Sequence, residues 1–528
     1  MFQSQTSITV RSTASAILAT LIGVSLLSFE TVSGTASAAP QSTKLQLDSA
    51  PDVRTKISPA LYSRMLREDA ANFPVLIYLK AQADLAGADQ LATREAKGRF
   101  VYNALVATAR SSQGSLLARL AELGLEHQRY FVTNMIAVFS PTAAQIEEFA
   151  ARSDVQRVVA DPRVNIRARP TPEMLRRDHT EAVGTNVTST GAERVWTQFS
   201  NRGEGIVVAG QDTGVQWDHP ALRASYRGTS ASGVNHNYSW HDAIRRKLTD
   251  TEAANPCGYA TVAPCDDNAH GTHTVGSIVG DDGAGNQIGM APGAKWIACR
   301  NMDEGVGTPS TYIECFQYFL APWPYGGNPM TDGDPTKAPH VINNSWGCPP
   351  SEGCDGAEFL PVIEALGRAG IMVVVSAGND GPGCSTIKDG PAYHSAATLS
   401  VGAHDHRSGN IAGFSSRGPS TFDNKVGPDL TAPGVSIRSA IPGGGFSGAA
   451  WSGTSMAGPH VVGAVALLWS VKPDLVGKIA RTSELLTSTA TPKTSTQTCG
   501  GVPGTTVPNN TFGHGLLNVH AAVVAASR

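Results

Sequence analysis

A chain of 528 residues, 41% hydrophobic and 16% charged, can build two or more packed cores and is neither disordered nor low in complexity. A formal charge of −3 without any basic block argues against a polyanion partner such as nucleic acid.

The first 38 residues read as a secretory signal peptide. Arg11 and the amino terminus supply positive charge, residues 14–29 are mostly apolar, and Ala36-Ser37-Ala38 is a small-x-small cleavage signal with cutting expected before Ala39. Residues 39–71 are polar and weakly patterned, a leader expected to be mobile. After the signal peptide no stretch reads as long and apolar enough to span a bilayer, so no membrane partner is expected.

Residues 72–166 carry the order β-α-β-β-α-β. Val75-Leu76-Ile77-Tyr78-Leu79 is a strand by its apolar and β-branched content, and residues 92–123 have helical composition with a leucine-rich face. Strands are expected at 130–132 and 135–139 around Thr133-Asn134. A helix capped by Thr142, with Ile146, Phe149 and Ala150 on its face, and a strand at 155–160 follow. This is the split βαβ pattern of a ferredoxin-like α+β domain, and it holds no catalytic cluster. Residues 167–190 lose the pattern. Arg167, Arg169, Arg176 and Arg177 lie among prolines and polar residues, as in an exposed processing linker.

From 191 to 528 short apolar strands alternate with helical segments, an α/β arrangement with a mostly parallel sheet. Strands are expected at 205–210, 295–299, 341–344 and 371–376, and helices at 273–279, 312–320 and 358–368. Ligands in such sheets bind beyond the carboxyl ends of the strands. Asp212 follows one such end, His270 leads into a helix, and Ser455 sits among small residues where the apolar helix 461–471 begins. Pro459 is expected within that helix's first turn, where a missing N–H is tolerated. A nucleophile at the positive end of a helix, a histidine base and a carboxylate to hold the imidazolium are what acyl transfer needs. Each residue alone has a structural reading: Asp212 a turn, His270 and Ser455 helix caps.

The motifs around them are Val208-Ala209-Gly210-Gln211-Asp212-Thr213-Gly214, His270-Gly271-Thr272-His273 and Gly453-Thr454-Ser455-Met456-Ala457-Gly458-Pro459-His460. Together, and in this order, they resemble the three signatures of the subtilisin-like serine peptidases. Gln211 to Trp217 and Ala291-Pro292-Gly293-Ala294-Lys295-Trp296 resemble the bacillopeptidase F-like branch. The resemblance covers roughly residues 190–528. It implies a secreted endopeptidase in which Ser455 attacks the scissile carbonyl, His270 carries the proton and Asp212 orients His270. It implies an oxyanion donor at Asn379, within Val374-Val375-Ser376-Ala377-Gly378-Asn379, whose loss typically costs about 3–4 kcal/mol of transition-state stabilisation. It implies that Ser345-Trp346-Gly347 pairs with an extended substrate, although Trp346 also reads as a structural surface aromatic. It implies that residues 72–166 are an inhibitory propeptide whose tail, near 163–177, blocks the cleft. An α/β-hydrolase esterase is disfavoured because Ala457 replaces the last glycine of G-x-S-x-G and the order is wrong. An inactive homologue would normally lack a triad member.

No cofactor is expected for catalysis. The family's usual structural calcium site is in doubt, because His219-Pro220 is followed by Ala221 and the loop 281–286 is glycine-rich. The eight cysteines behind a signal peptide imply disulfides, with zinc as the alternative. Spacing suggests Cys257–Cys265, Cys348–Cys354 and Cys299–Cys315, which leaves Cys384 with Cys499.

Overall fold

Apolar runs bounded by turn residues become parallel strands when both faces are covered. In the computed structural model, which describes residues 51–67, 73–166, 171–176, 183–392, 398–448 and 451–528, seven such runs form one sheet. Its order is Leu430–Pro433, Thr398–His404, Met372–Ser376, Val341–Asn344, Val207–Asp212, Lys295–Arg300 and Trp240–Asp242. Every neighbouring pair in it is parallel. The order reverses around Val207–Asp212, whose carboxyl end delivers Asp212 to the crevice where such sheets bind ligands.

The Thr454–Val471 helix packs on one face of this sheet and against the His270–Val279 helix. Apolar residues surround it on nearly every side, from Val461 to Trp469, so it is a core helix. By length and composition it also meets the measure of a membrane-crossing helix, which corrects the expectation that nothing after residue 38 does. Almost all of it is buried inside the protein. The other sheet face carries Pro309–Leu320 and Leu360–Arg368.

A second, antiparallel sheet is built from His127–Tyr130, Met135–Val138, Val75–Leu79 and Val155–Ala160, in that order. With Arg94–Ser112, Gly114–Glu122 and Ala143–Ala151 it makes the β-α-β-β-α-β topology. The Thr142 cap forms a full capping box with Gln145. The long helix breaks at Gln113, whose buried amide turns away to donate to Tyr130 O at 2.8 Å and Asn134 Oδ1 at 3.0 Å. The strand expected at 130–132 ends at Tyr130, because Phe131 and Val132 turn to give their N–H groups to Gln317 Oε1 at 2.7 and 3.3 Å.

One expectation about the connecting segments is corrected. Within the leader, Pro51–Thr55 and Pro59–Arg67 are helices. Leu61 and Met65, four residues apart, are buried in one hydrophobic cluster with Val155 and Val158, and Ser58 N donates to Val158 O at 2.9 Å. Within the linker, residues 167–170 and 177–182 lie outside those described, but Thr185–Ser189 is a short helix. Its Asn186 is buried against His460 of the central helix. The two sheets belong to a single compact unit, Leu47–Arg528, since the helical face of one buries the sheet face of the other.

All eight cysteines are paired as the spacing suggested: Cys257–Cys265, Cys299–Cys315, Cys348–Cys354 and Cys384–Cys499. The last closes a sequence separation of 115, which on chain-entropy grounds stabilises the fold by about 5 kcal/mol.

Candidate active site

Asp212 closes its strand with the side chain turned inward, and only 3% of the residue is exposed. Its Oδ1 and Oδ2 lie 2.8 and 2.9 Å from His270 Nδ1. A carboxylate only accepts, so the ring proton sits on Nδ1 and the Nε2 lone pair faces away from Asp212. Thr213 N also donates to Asp212 Oδ1, at 2.7 Å, fixing the carboxylate plane.

The helix expected at 273–279 starts three residues earlier, at His270 itself, and the cause is Asp266. Its Oδ1 accepts from Ala269 N at 2.9 Å and its Oδ2 from Thr272 N at 2.8 Å, so this carboxylate caps the helix from outside. Thr213 Oγ1 donates to Asp266 Oδ1 at 2.9 Å and accepts from Gly271 N at 3.0 Å. Asp266 and Thr213 thus tie the Asp212 and His270 segments together. Gly214 and Gly271 let those segments touch, because a Cβ on Gly271 would lie 2.0 Å from Gly214 O. Sequence reading missed Asp266. Its position just before a helix start was the available signal.

Ser455 is the second residue of the central helix and is 8% exposed. Its Oγ donates to Ser345 O at 3.1 Å, and Ser345 Oγ returns a bond to Ser455 O at 3.0 Å. The second bond has a cause in the sequence. Pro459 lies deeper than the first turn, inside the helix, and removes the N–H that Ser455 O would otherwise accept. Ser345 supplies the missing donor and is itself held by Asn343 Nδ2 at 2.9 Å. Ser376 Oγ anchors Thr454 O at 2.9 Å.

Asn379 is oriented without ambiguity. Its side chain accepts from Thr454 N at 2.9 Å and Thr454 Oγ1 at 3.0 Å. A backbone N–H can only donate, so that atom is Oδ1, and Nδ2 is left to donate into the cleft beside Ser455.

Trp346 is 6% exposed, with its ring stacked on Tyr312 at 3.9 Å and edge-on to Phe359 at 5.4 Å. The indole therefore builds the floor of the cleft rather than standing on the surface. Gly347, beside it, leaves the cleft wall bare. Of the two histidines in the second motif only His270 meets Asp212. His273 stacks on Trp451 at 4.4 Å, and burial pushes its pKa down to about 3. His460 is likewise held neutral by burial, its pKa down to about 4, with Nδ1 donating to Met456 O at 2.8 Å.

Residues Val164–Asn165 pair antiparallel with Val306–Gly307, and Ile166 N donates to Gly305 O at 2.8 Å. Asn165 and Ile166 line the same cleft as Ser345, Asn379 and Ser455. Upstream, Asp161 reaches the Pro309–Leu320 helix, its Oδ1 and Oδ2 accepting from Ser310 N at 2.9 Å and Ser310 Oγ at 2.6 Å. Burial lifts the Asp161 pKa to about 6. On the same helix Glu314 accepts from Gln128 Nε2 at 2.6 Å and is bound by Arg245. Burial alone would raise its pKa, but the Arg245 charge and the bonds from His241 and Arg245 hold it near 2.

At the place of the family's usual calcium the side-chain oxygens are absent or already engaged. Ala221 offers no side-chain oxygen. In the 281–286 loop, Asp281 Oδ2 pairs with Arg202 at 2.8 Å, and Asp282 Oδ1 accepts from Ala284 N at 2.8 Å and Asn286 N at 3.0 Å.

Residues 203–515 match the model of the Subtilase family, a span that contains Asp212, His270, Asn379 and Ser455. The chain is 33% identical to Bacillopeptidase F of Bacillus subtilis (strain 168) over 545 residues, covering 97% of this chain and 35% of that protein. It is 34% identical to Subtilisin E of the same strain over 260 residues, 49% of this chain and 56% of that protein. It is 28% identical to the "Extracellular protease" of Xanthomonas campestris pv. campestris over 484 residues, 86% of this chain and 77% of that protein. The chain thus spans about a third of the first relative and little more than half of the second. With a family match over more than half its length and a similarity to Bacillopeptidase F that also runs through the first sheet, the chain belongs to the subtilase family, in its bacillopeptidase F-like branch.

Proposed function

We propose that the protein is a secreted serine endopeptidase made as a zymogen, with residues 72–166 as its inhibitory propeptide. The observation that carries the reading is a His270 ring held on Nδ1 by both oxygens of Asp212, with Ser455 and the Asn379 amide in one cleft. On this reading Ser455 Oγ leaves Ser345 O, turns to His270 Nε2 and attacks the scissile carbonyl as the proton passes to the ring. Asn379 Nδ2 and the Ser455 N–H receive the oxyanion. His270 then protonates the leaving amine, and water repeats the sequence on the acyl-enzyme. The relatives' printed names, Bacillopeptidase F and "Extracellular protease", support peptide substrates and an extracellular location. A fluorophosphonate is expected to label Ser455 of the mature protein stoichiometrically and abolish casein hydrolysis. Hydrolysis of small esters with casein left intact would instead favour the esterase.

The propeptide reading is supported by Asn165 and Ile166 lining the cleft and by the bonds of Asp161 to Ser310 of the Pro309–Leu320 helix. Asp161 makes a pH prediction. A carboxyl whose folded pKa is raised contributes stability that is full below its unfolded value and lost as pH rises through the folded one. Here that window runs from 3.8 to about 6. Comparing the uncut Ser455→Ala chain with its Asp161→Asn derivative, the stability difference is expected to move by about 3 kcal/mol across the window, against the carboxylate at the upper end. Glu314 acts in both proteins, and only below pH 4.5, so it cancels. A difference that is flat between pH 4 and 7 in urea titrations would contradict a buried Asp161.

A further inference from the structure

The aim of the His270 ring depends on the residue before it. Ala269 has a φ of 83°, in the left-handed region that a residue with a Cβ seldom adopts, and its side chain gives the helix no cap. Such a conformation persists only where its surroundings over-determine it. Here one carboxylate does so. Asp266 Oδ1 accepts from Asn268 N at 3.0 Å, Ala269 N at 2.9 Å and Thr213 Oγ1 at 2.9 Å. Its Oδ2 accepts from Thr272 N at 2.8 Å and Thr272 Oγ1 at 2.5 Å, and that hydroxyl accepts from Gln216 N at 3.0 Å. Oδ1 thus joins the Asp212 segment to the His270 segment directly, and Oδ2 does so through Thr272. Asp266 is itself held on both sides. Cys265 before it is bonded to Cys257, and the buried Asp267 side chain after it accepts from Asn255 Nδ2 at 2.6 Å and Arg300 Nη1 at 3.2 Å. The backbones of Gly214 and Asp266 also pair, antiparallel.

We propose that Asp266 is a positioning residue for proton transfer, acting through Ala269 and Thr213 to hold His270 Nδ1 against Asp212 so that the ring presents Nε2 to Ser455. This rests on the endopeptidase reading of the same site. Proton transfer needs the base within hydrogen-bond reach and aligned, and a small misplacement of the ring costs rate steeply. Asp266, Thr213 and Thr272 do not line the cleft shared by Ser345, Asn379 and Ser455. Their loss therefore leaves substrate binding in place and falls on kcat rather than KM. An asparagine at 266 keeps one acceptor and turns its NH2 toward backbone N–H groups on the other side. The turn before His270 and the helix start after it then compete for the single oxygen. A valine at 213 keeps the shape of the side chain but loses both the donor to Asp266 and the acceptor of Gly271 N.

The test is steady-state peptide hydrolysis by the mature enzyme, with proton NMR of the uncut Ser455→Ala chain, which needs no processing. Asp266→Asn is expected to lower kcat by about 100-fold and Thr213→Val by about tenfold, each with KM within about twofold of the parent's. Thr213→Ser, which keeps the hydroxyl, is expected to retain the parent's kcat. In the uncut chain the proton between His270 Nδ1 and Asp212 gives a far-downfield resonance. It is expected to stay sharp in the parent and in Thr213→Ser, and to broaden or vanish in Asp266→Asn and Thr213→Val while both still melt cooperatively. Should one of the two fail to fold, the other decides; should one fail to mature, its resonance decides. A kcat within about threefold of the parent's in both variants would overturn the inference, as would a loss confined to KM or a lost kcat with the resonance unchanged. A wild-type protein that hydrolyses no peptide and takes no fluorophosphonate on Ser455 would instead remove the endopeptidase reading.

Discussion

Ser455→Ala is expected to lower kcat by on the order of 10⁶, the size of loss known for the nucleophile of subtilisin itself. The substitution removes one hydroxyl and its bond to Ser345 O. Ser345 Oγ still donates to Ser455 O, and Ser376 Oγ still holds Thr454 O, so the helix start keeps its shape. The loss is therefore chemical, and the melting temperature should stay within a few degrees of the parent's. The same variant tests maturation. If the chain cuts itself, purified Ser455→Ala protein keeps its full length, with Asn165 and Ile166 in the cleft. Mature-sized product from that preparation, with no other protease present, would refute self-processing. Residual activity above about one part in 10³ would mean that another nucleophile works in the cleft.

The sequence disclosed most about the site where chemistry restricts the choice of residue. Asp212, His270 and Ser455 stand out in the sequence because a nucleophile, a base and a carboxylate each accept few residue types, and Asn379 stands out only through the resemblance of its motif; the fold pairs Asp212 with His270 and places Asn379 in one cleft with Ser455. The disulfides were readable for a different reason: three pairs join cysteines close in sequence, which left the fourth by elimination. What stayed hidden depends on contacts distant in sequence. Asp266 is an ordinary aspartate until the fold places Thr213, 53 positions away, on its oxygen. Leu61 and Met65 are too few to reveal a buried helix until the fold gathers them into one cluster with the first sheet. Trp346 could not be assigned to floor or surface without Tyr312 beneath it. Pro459 looked like a first-turn proline, and only the Ser345 hydroxyl bonded to Ser455 O reveals how its deeper position is tolerated.

Asp212→Asn is expected to cost on the order of 10⁴ in kcat with little change in stability, and the local geometry says why. Thr213 N donates to one side-chain oxygen of Asp212 at 2.7 Å. An asparagine must keep an acceptor there, so its carbonyl oxygen is drawn to Thr213 and its NH2 turns toward the ring. That NH2 can only donate, which drives the His270 proton from Nδ1 to Nε2 and removes the lone pair that, on the proposed mechanism, receives the Ser455 proton. The carboxylate that would balance the charged ring is lost as well. Because His270 and Asp212 are each only 3% exposed, water cannot readily substitute for that charge. The position of the substrate is untouched, so kcat should fall and KM should change little. The measurement is steady-state kinetics on mature protein freed of its propeptide, normalised to fluorophosphonate-titrated sites after prolonged labelling. A loss below tenfold would show that Asp212 does not set the tautomer. A large rise in KM with kcat preserved would move its role from proton transfer to substrate binding.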